Sequence, residues 1–218
     1  MTRPTPSVGK LERDDFCISY RDDRFLSWPA IGGAYRFDDG ELVVNYHSLK
    51  CDYEYLVDVR HQRVEQCSEM VSARSLDGGR TWPDDQQTTF FDYRSTFSEL
   101  EAGRRLEVDM RVPDSILFGF HAFDWEGETR GRGGRRGFIV RSPDRGRTWD
   151  TRPIWIDLPS APNVKAFGTF LRRSDGVILL PVQTGSAAGE YECVLLASHD
   201  GGERWNYFSR MVGPSTLP

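Results

Sequence analysis

The sequence predicts an all-β chain assembled from repeated four-stranded units, and three observations carry that prediction. First, an eight-residue pattern is written three times: Ser75-Leu76-Asp77-Gly78-Gly79-Arg80-Thr81-Trp82, Ser142-Pro143-Asp144-Arg145-Gly146-Arg147-Thr148-Trp149 and Ser198-His199-Asp200-Gly201-Gly202-Glu203-Arg204-Trp205. Second, an apolar run precedes each copy: Met70-Val71-Ser72-Ala73, Phe138-Ile139-Val140 and Val194-Leu195-Leu196-Ala197. Third, further upstream of each copy, two strand-like runs flank a short acidic turn. A fixed pattern recurring at long intervals marks a repeated supersecondary unit.

The elements follow in order. In the first unit, residues 28–36 and 41–46 read as strands joined by the turn Asp38-Asp39-Gly40, a strand, tight turn, strand arrangement. The second unit has strand-like residues 106–112, the turn Pro113-Asp114-Ser115, and the run Ile116-Leu117-Phe118-Gly119-Phe120. The third has residues 165–172, the turn Ser174-Asp175-Gly176, and residues 177–182, an almost continuous apolar run suited to burial on both faces. The units span about residues 28–93, 104–158 and 164–214 of a repeat region running over 28–218. Residues 1–27 form an N-terminal segment in which Phe16-Cys17-Ile18-Ser19-Tyr20 is expected to add a closing strand.

The repeated octapeptide is turn chemistry. Asp77, Asp144 and Asp200 can each accept several backbone N–H groups of a tight loop, and Gly79, Gly146 and Gly202 can take the positive φ that other residues resist. Ser75, Ser142 and Ser198, with Thr81 and Thr148, satisfy remaining polar groups, and Trp82, Trp149 and Trp205 cover the turns with an apolar face. The third copy is the least regular, with Arg204 in the Thr position. These octapeptides resemble Asp boxes, also called bacterial neuraminidase (BNR) repeats, and the chain resembles part of a sialidase-type β-propeller. The resemblance covers nearly everything from Trp28 onward. Because a sialidase propeller has six blades and propellers close with 4 to 8, it implies that these three blades are about half of a ring. The chain is then expected to be a fragment, or to pair half to half as a homodimer.

Composition narrows the classes. A hydrophobic fraction of 38% without a long apolar run excludes a spanning helix, and the polar N-terminus lacks the apolar stretch of a secretory signal, so a cytoplasmic location is expected. Cys17, Cys51, Cys67 and Cys193 have no paired metal-ligand spacing, and so few in so long a chain do not make a disulfide scaffold. His47, His61, His121 and His199 come from different repeats without local ligand spacing, so no metal and no cofactor is implied. A net charge of -5 gives no global support for nucleic-acid binding.

Strand order sorts the loops. The boxes and the acidic turns share one rim; the opposite rim carries the loops 48–66, 124–136 and 185–190 and the segment 21–28. In sialidases that opposite rim takes the substrate, a terminal acidic sugar. The resemblance places the general acid/base at Asp52, whose task is to protonate the leaving glycosidic oxygen and then deprotonate water. It also exposes a departure. The family's substrate-binding arginine, in a triplet similar to Arg-Ile-Pro, corresponds to Ser27 in Ser27-Trp28-Pro29, so Arg24 or Arg21 would have to reach the same rim. Trp28, His121, Asp124 and Trp125 complete the candidate sugar contacts, and Arg130, Arg132, Arg135 and Arg136 gather among glycines in the second blade's loop. The tyrosine nucleophile, its glutamate and two further arginines of the family belong to later blades. The expectation is a sialidase-like glycoside hydrolase scaffold without turnover as a lone chain. The alternative is a non-catalytic Asp-box propeller that binds glycan or protein through its loop rim.

Overall fold

A computed structural model of the chain describes residues 18–51, 61–123, 135–158, 163–185 and 191–213. Among the described residues, thirteen strands lie in three antiparallel sheets, and three short α-helices, α1 (Pro29–Gly32), α2 (His61–Cys67) and α3 (Phe97–Glu101), lie between them. The first sheet holds β1 (Arg24–Ser27), β2 (Ala34–Arg36), β3 (Leu42–Lys50), β4 (Glu69–Ser75) and β5 (Gln87–Asp92), with β1 and β2 both paired to β3. The second holds β6 (Ile116–Phe123), β7 (Arg135–Ser142) and β8 (Ile154–Ile156). The third repeats the first: β9 (Asn163–Ala166) and β10 (Leu171–Arg172) both pair with β11 (Ile178–Gly185), followed by β12 (Tyr191–Ser198) and β13 (Asn206–Val212). The result is an all-β, propeller-like stack of sheets.

Each octapeptide joins the last two strands of its sheet, and its hydrogen bonds are those its residue types allow. Asp77 Oδ1 accepts from the Ser75 hydroxyl at 2.8 Å and from the Thr81 amide at 2.9 Å, while its Oδ2 accepts from the Thr81 hydroxyl at 2.7 Å. Ser142, Asp144 and Thr148 repeat this set, and Asp200 bonds Ser198 and the Glu203 and Arg204 amides. Each Trp indole donates back to the carbonyl of its Gly: Trp82 to Gly79, Trp149 to Gly146 and Trp205 to Gly202. The positive φ expected of Gly79, Gly146 and Gly202 is present at all three.

The register of each hairpin sets the core. Ser75, Ser142 and Ser198 lie opposite Leu42, Ile116 and Ile178, so the three hairpins superpose residue for residue. Alternation then sends one face of each sheet to the preceding sheet and the other to the following one. Phe118, Phe120, Phe138 and Val140 pack on the first sheet in one core cluster, whereas Leu117 and Ile139 meet Ile178, Leu180, Val194 and Leu196 in another.

Four expectations about strands are corrected. Residues 28–36 do not form one strand: Trp28 turns left-handed at φ 56° and α1 divides β1 from β2. Residues 165–172 are likewise split between β9 and β10. The two interruptions touch, with the Gly168 amide donating to Ile31 O at 3.1 Å and the Tyr35 hydroxyl lying 2.7 Å from Gly168 O. A Cβ on Gly168 would sit 2.7 Å from Gly32 O, so this contact between the inner strands requires glycine. Residues 106–112 form no strand at all, because side chains and a turn carbonyl of the third sheet have taken over their backbone groups. Asp150 accepts from the Leu106 amide at 2.7 Å, Gly201 O accepts from the Met110 amide at 2.8 Å, and Arg172 Nε donates to Met110 O at 2.6 Å. The second unit therefore has three strands among the described residues. Residues 18–20 of the expected closing strand are not in a strand either; Ile18 packs on the cluster of Tyr46, Val71 and Ala73.

Candidate functional site

The two rims separate as the strand order requires. On the box rim, Arg145 reaches Asp39 and Glu41 at the first sheet's acidic turn and Asp114 at the second's. The opposite rim receives the ends of β3, β6 and β11, where superposed hairpins put His47, His121 and Gln183 at one repeat position.

His47 is fully buried. Its Nδ1 is 2.9 Å from the Ser68 hydroxyl, which itself donates to Val64 O at 2.5 Å. Having spent its proton there, Ser68 accepts from His47, so Nδ1 is the protonated nitrogen of the ring. Trp28 meets this imidazole edge-on at 5.2 Å and Tyr93 stacks on it at 5.3 Å. Burial, reinforced by the charge of Glu65, holds the Tyr93 phenol well above its ordinary pKa, so it stays protonated.

A charged cluster lies beside this aromatic cage. Glu65, on α2, places Oε1 3.3 Å from Lys165 Nζ on β9 and Oε2 3.7 Å from His121 Nε2 on β6. One carboxylate thus ties the first unit's loop to the second and third sheets. His121 stacks on Phe120 at 4.4 Å, and the Lys165 ammonium lies 4.5 Å over the same Phe120 ring, a cation–π contact. The Glu65 and His121 side chains are 5% and 3% exposed, and Lys165 is 23% exposed. Lys165 is therefore the most exposed member of the cluster, with the carboxylate and imidazole buried beside it. An ammonium has three N–H donors, so Lys165 keeps donors for a ligand after bonding Glu65.

The sequence-derived candidates fall in different places. His121 stands inside the cluster and Trp28 at its edge. Ser27 pairs with His47 across β1 and β3, and its hydroxyl makes no hydrogen bond among the described residues. Arg24 lies on the other face of the first sheet: its guanidinium donates to Ser48 Oγ and Glu69 Oε2, both at 2.6 Å. Arg21 pairs with Asp84. Asp52, Asp124, Trp125, Arg130 and Arg132 lie outside the described residues, as do the loop 186–190 and residues 1–17. Arg136 pairs with Asp157 at 2.5 Å. Lys165, Tyr93 and Glu65 were not singled out by the sequence, and His47 appeared there only among four histidines without ligand spacing. The repeat offered a signal for His47, since His47 and His121 both stand five residues beyond the strand positions that pair with their box serines.

The sequence matches no protein family and no curated protein. Solved structures do share its fold. A Hadza microbial sialidase, Hz136, superposes with a TM-score of 0.59 at 20% identity, covering 83% of this chain and 37% of that one. A protein of unknown function from Dyadobacter fermentans gives 0.60 at 18%, covering 87% and 56%. Trypanosoma rangeli sialidase in complex with sialic acid gives 0.52 at 19%, covering 81% and 29%. The chain spans less than two thirds of the length of each. These likenesses define its class: an all-β, sialidase-like propeller fold. No helix among the described residues is long and apolar enough to cross a membrane.

Proposed function

We propose that the chain is a sialidase-like glycoside hydrolase scaffold whose loop rim takes a terminal acidic sugar. The observation that carries this reading is the part-exposed Lys165 side chain, its ammonium held by buried Glu65, on the rim opposite the boxes of a sialidase-like fold. We take the three octapeptides as Asp boxes, which hold the turns and leave the chemistry to the other rim. Lys165 supplies the positive charge that Ser27 cannot, and Trp28, with Asp124 and Trp125 of the second loop, provides the sugar-facing surface. Asp52 is assigned the acid/base role, giving its proton to the leaving oxygen and recovering one from water. The nucleophile of that chemistry has no counterpart among the assigned residues, so the isolated chain binds without turnover. The free thiols of Cys51, Cys67 and Cys193 support a reducing, cytoplasmic setting.

Titration with N-acetylneuraminic acid, followed by NMR, tests the binding half. Saturable binding is expected, weakened about tenfold in Lys165→Met, which corresponds to loss of one charge-assisted hydrogen bond of about 1.4 kcal/mol. No saturable binding, or binding unchanged by Lys165→Met, defeats the assignment. A fluorogenic sialoside tests the other half: turnover by the isolated chain that disappears in Asp52→Asn would show that the scaffold is catalytic as it stands. A second reading, a binding module with no hydrolytic role, is favoured by Ser27, whose short hydroxyl offers no bidentate cation. Glycan binding that persists when a longer version of the chain also fails to hydrolyse sialosides would select it.

A further inference from the structure

The repeat shows where the first sheet departs from the other two. Its cross-strand pair Tyr46–Val71 corresponds to Phe120–Phe138 in the second sheet and to Val182–Val194 in the third. In those two sheets the pair is buried in an apolar core shared with the preceding sheet. In the first sheet the pair continues into Thr89, where the second sheet has Trp155, and the neighbouring row is Leu26, Ser48 and Glu69. Alternation sends both rows to one face, which thus carries hydroxyls at two positions, Tyr46 and Thr89, where the second sheet has Phe120 and Trp155. With Ser19 and Arg21 these rows enclose a cavity of about 200 Å³. Its lining runs from buried Tyr46, Ser48 and Val71, through half-buried Arg24, Glu69 and Gln87, to exposed Arg21 and Thr89, so it opens to solvent at one end.

We propose that this cavity is a carbohydrate site for a single neutral pyranose, separate from the acidic-sugar site on the loop rim and independent of that assignment. Its size sets the ligand: about 200 Å³ is below the roughly 300–1,000 Å³ of pockets for drug-sized molecules, which suits one ring and not an oligosaccharide. Its charges set the polarity. Arg21 is paired with Asp84 at 2.9 Å, and Glu69 with Arg24 at 2.6 Å and with Arg94 at 2.8 Å. Arg94 in turn pairs with Asp92 at 2.6 Å. An ionic ligand therefore meets no uncompensated charge of opposite sign, whereas hydroxyl groups can bond to paired ions and leave the pairs intact.

The remaining groups match hydroxyls, which donate and accept at once. Ser48 Oγ accepts from Arg24 Nε at 2.6 Å, so its own proton is left to donate. Gln87 accepts from the Tyr46 hydroxyl and donates to Asp84, both at 3.2 Å, and keeps a second amide proton. Thr89 stands at the open end with a hydroxyl of either sense. Leu26, Val71 and the Tyr46 ring supply the apolar surface for the C–H face of a pyranose. Arg24, expected from the sequence on the loop rim, belongs to this second site.

Titration of the isotope-labelled chain with the methyl pyranosides of glucose, galactose and mannose, followed by amide NMR, tests the site. At least one is expected to saturate with a dissociation constant of about 1 mM, the strength open to so small a ligand. The largest shifts are expected at Ser48, Glu69, Val71 and Thr89; saturation by none of the three sugars, or shifts centred elsewhere, overturns the proposal. Thr89→Trp, which puts the second sheet's residue at an exposed position, is expected to weaken binding about tenfold or more. Undiminished binding by a folded Thr89→Trp chain also overturns it, and the shift map keeps the test decisive if that variant does not fold. N-acetylneuraminic acid is expected not to displace the pyranoside, and Lys165→Met to leave its binding unchanged. Displacement, or loss in Lys165→Met, would assign the sugar to the rim and overturn the second site, whereas failure of N-acetylneuraminic acid to bind defeats the rim assignment alone.

Discussion

Arg145 stands at φ 60°, a left-handed backbone that the other two boxes give to Gly78 and Gly201. A side chain there costs about 1–2 kcal/mol, and the guanidinium shows what offsets it. Arg145 bonds Asp39, Glu41 and Asp114, and its carbonyl accepts from Arg74, so one residue fastens the first sheet to the second on the box rim. Those carboxylates, led by Asp39, push the Arg145 pKa up, so the guanidinium stays charged at any pH at which the chain is folded. Arg145→Ala keeps the strained backbone and loses the ion pairs, whereas Arg145→Gly loses the pairs and relieves the strain. Urea denaturation is expected to rank wild type above Arg145→Gly, and Arg145→Gly above Arg145→Ala by about 1 kcal/mol. A glycine variant less stable than the alanine variant would show that the strain is not real.

At the scale of elements, local and distant determinants separate cleanly. The strands beside each octapeptide were legible because their ends are set by turn residues a few positions away. The breaks within the inner strands were not, because they answer to contacts such as Gly32 with Gly168 across the stack. The site divides in the same way: His121 stood out beside an indole and a charged loop, but Glu65 meets Lys165 across 100 residues of sequence. Residues 106–112 are the clearest case. They alternate like a strand, yet Arg141 donates to Leu106 O and Val108 O at 3.4 Å and to Asp150 Oδ2 at 2.9 Å, so a side chain replaces a neighbouring strand. Both members of the Arg141–Asp150 pair are 0% exposed. Arg141→Met leaves the Asp150 charge uncompensated in the interior and is expected to cost about 3–5 kcal/mol. Amide exchange at residues 106–110 should accelerate more than at β6; uniform acceleration would mean that Arg141 supports the whole sheet and not this segment.

The molecule as a whole is fastened by carboxylates, and this fixes its response to acid. The amide and hydroxyl of Thr81 hold Asp77 well below the ordinary carboxylate pKa. Burial pushes Asp144 and Asp200 upward, yet hydrogen bonds from Thr148 and Ser142, and from Arg204 and Ser198, leave both lowered. Arg145, Arg111 and Arg136 lower Asp39, Asp109 and Asp157 in the same direction. A carboxyl with a folded pKa below its unfolded value of about 3.9 takes up protons first in the unfolded chain. Its stabilisation is therefore complete above that value and is lost as pH falls through the folded pKa. The thermal midpoint is expected to be nearly level between about pH 5 and 7 on this account and to drop steeply below about pH 4. Asp144→Asn should lower the midpoint at neutral pH and make the acid drop shallower, because the amide cannot accept on both atoms as the carboxylate does. Melting curves at pH 7, 5, 4 and 3 decide the matter: parallel falls for wild type and Asp144→Asn would place the acid-sensitive carboxylates outside the boxes.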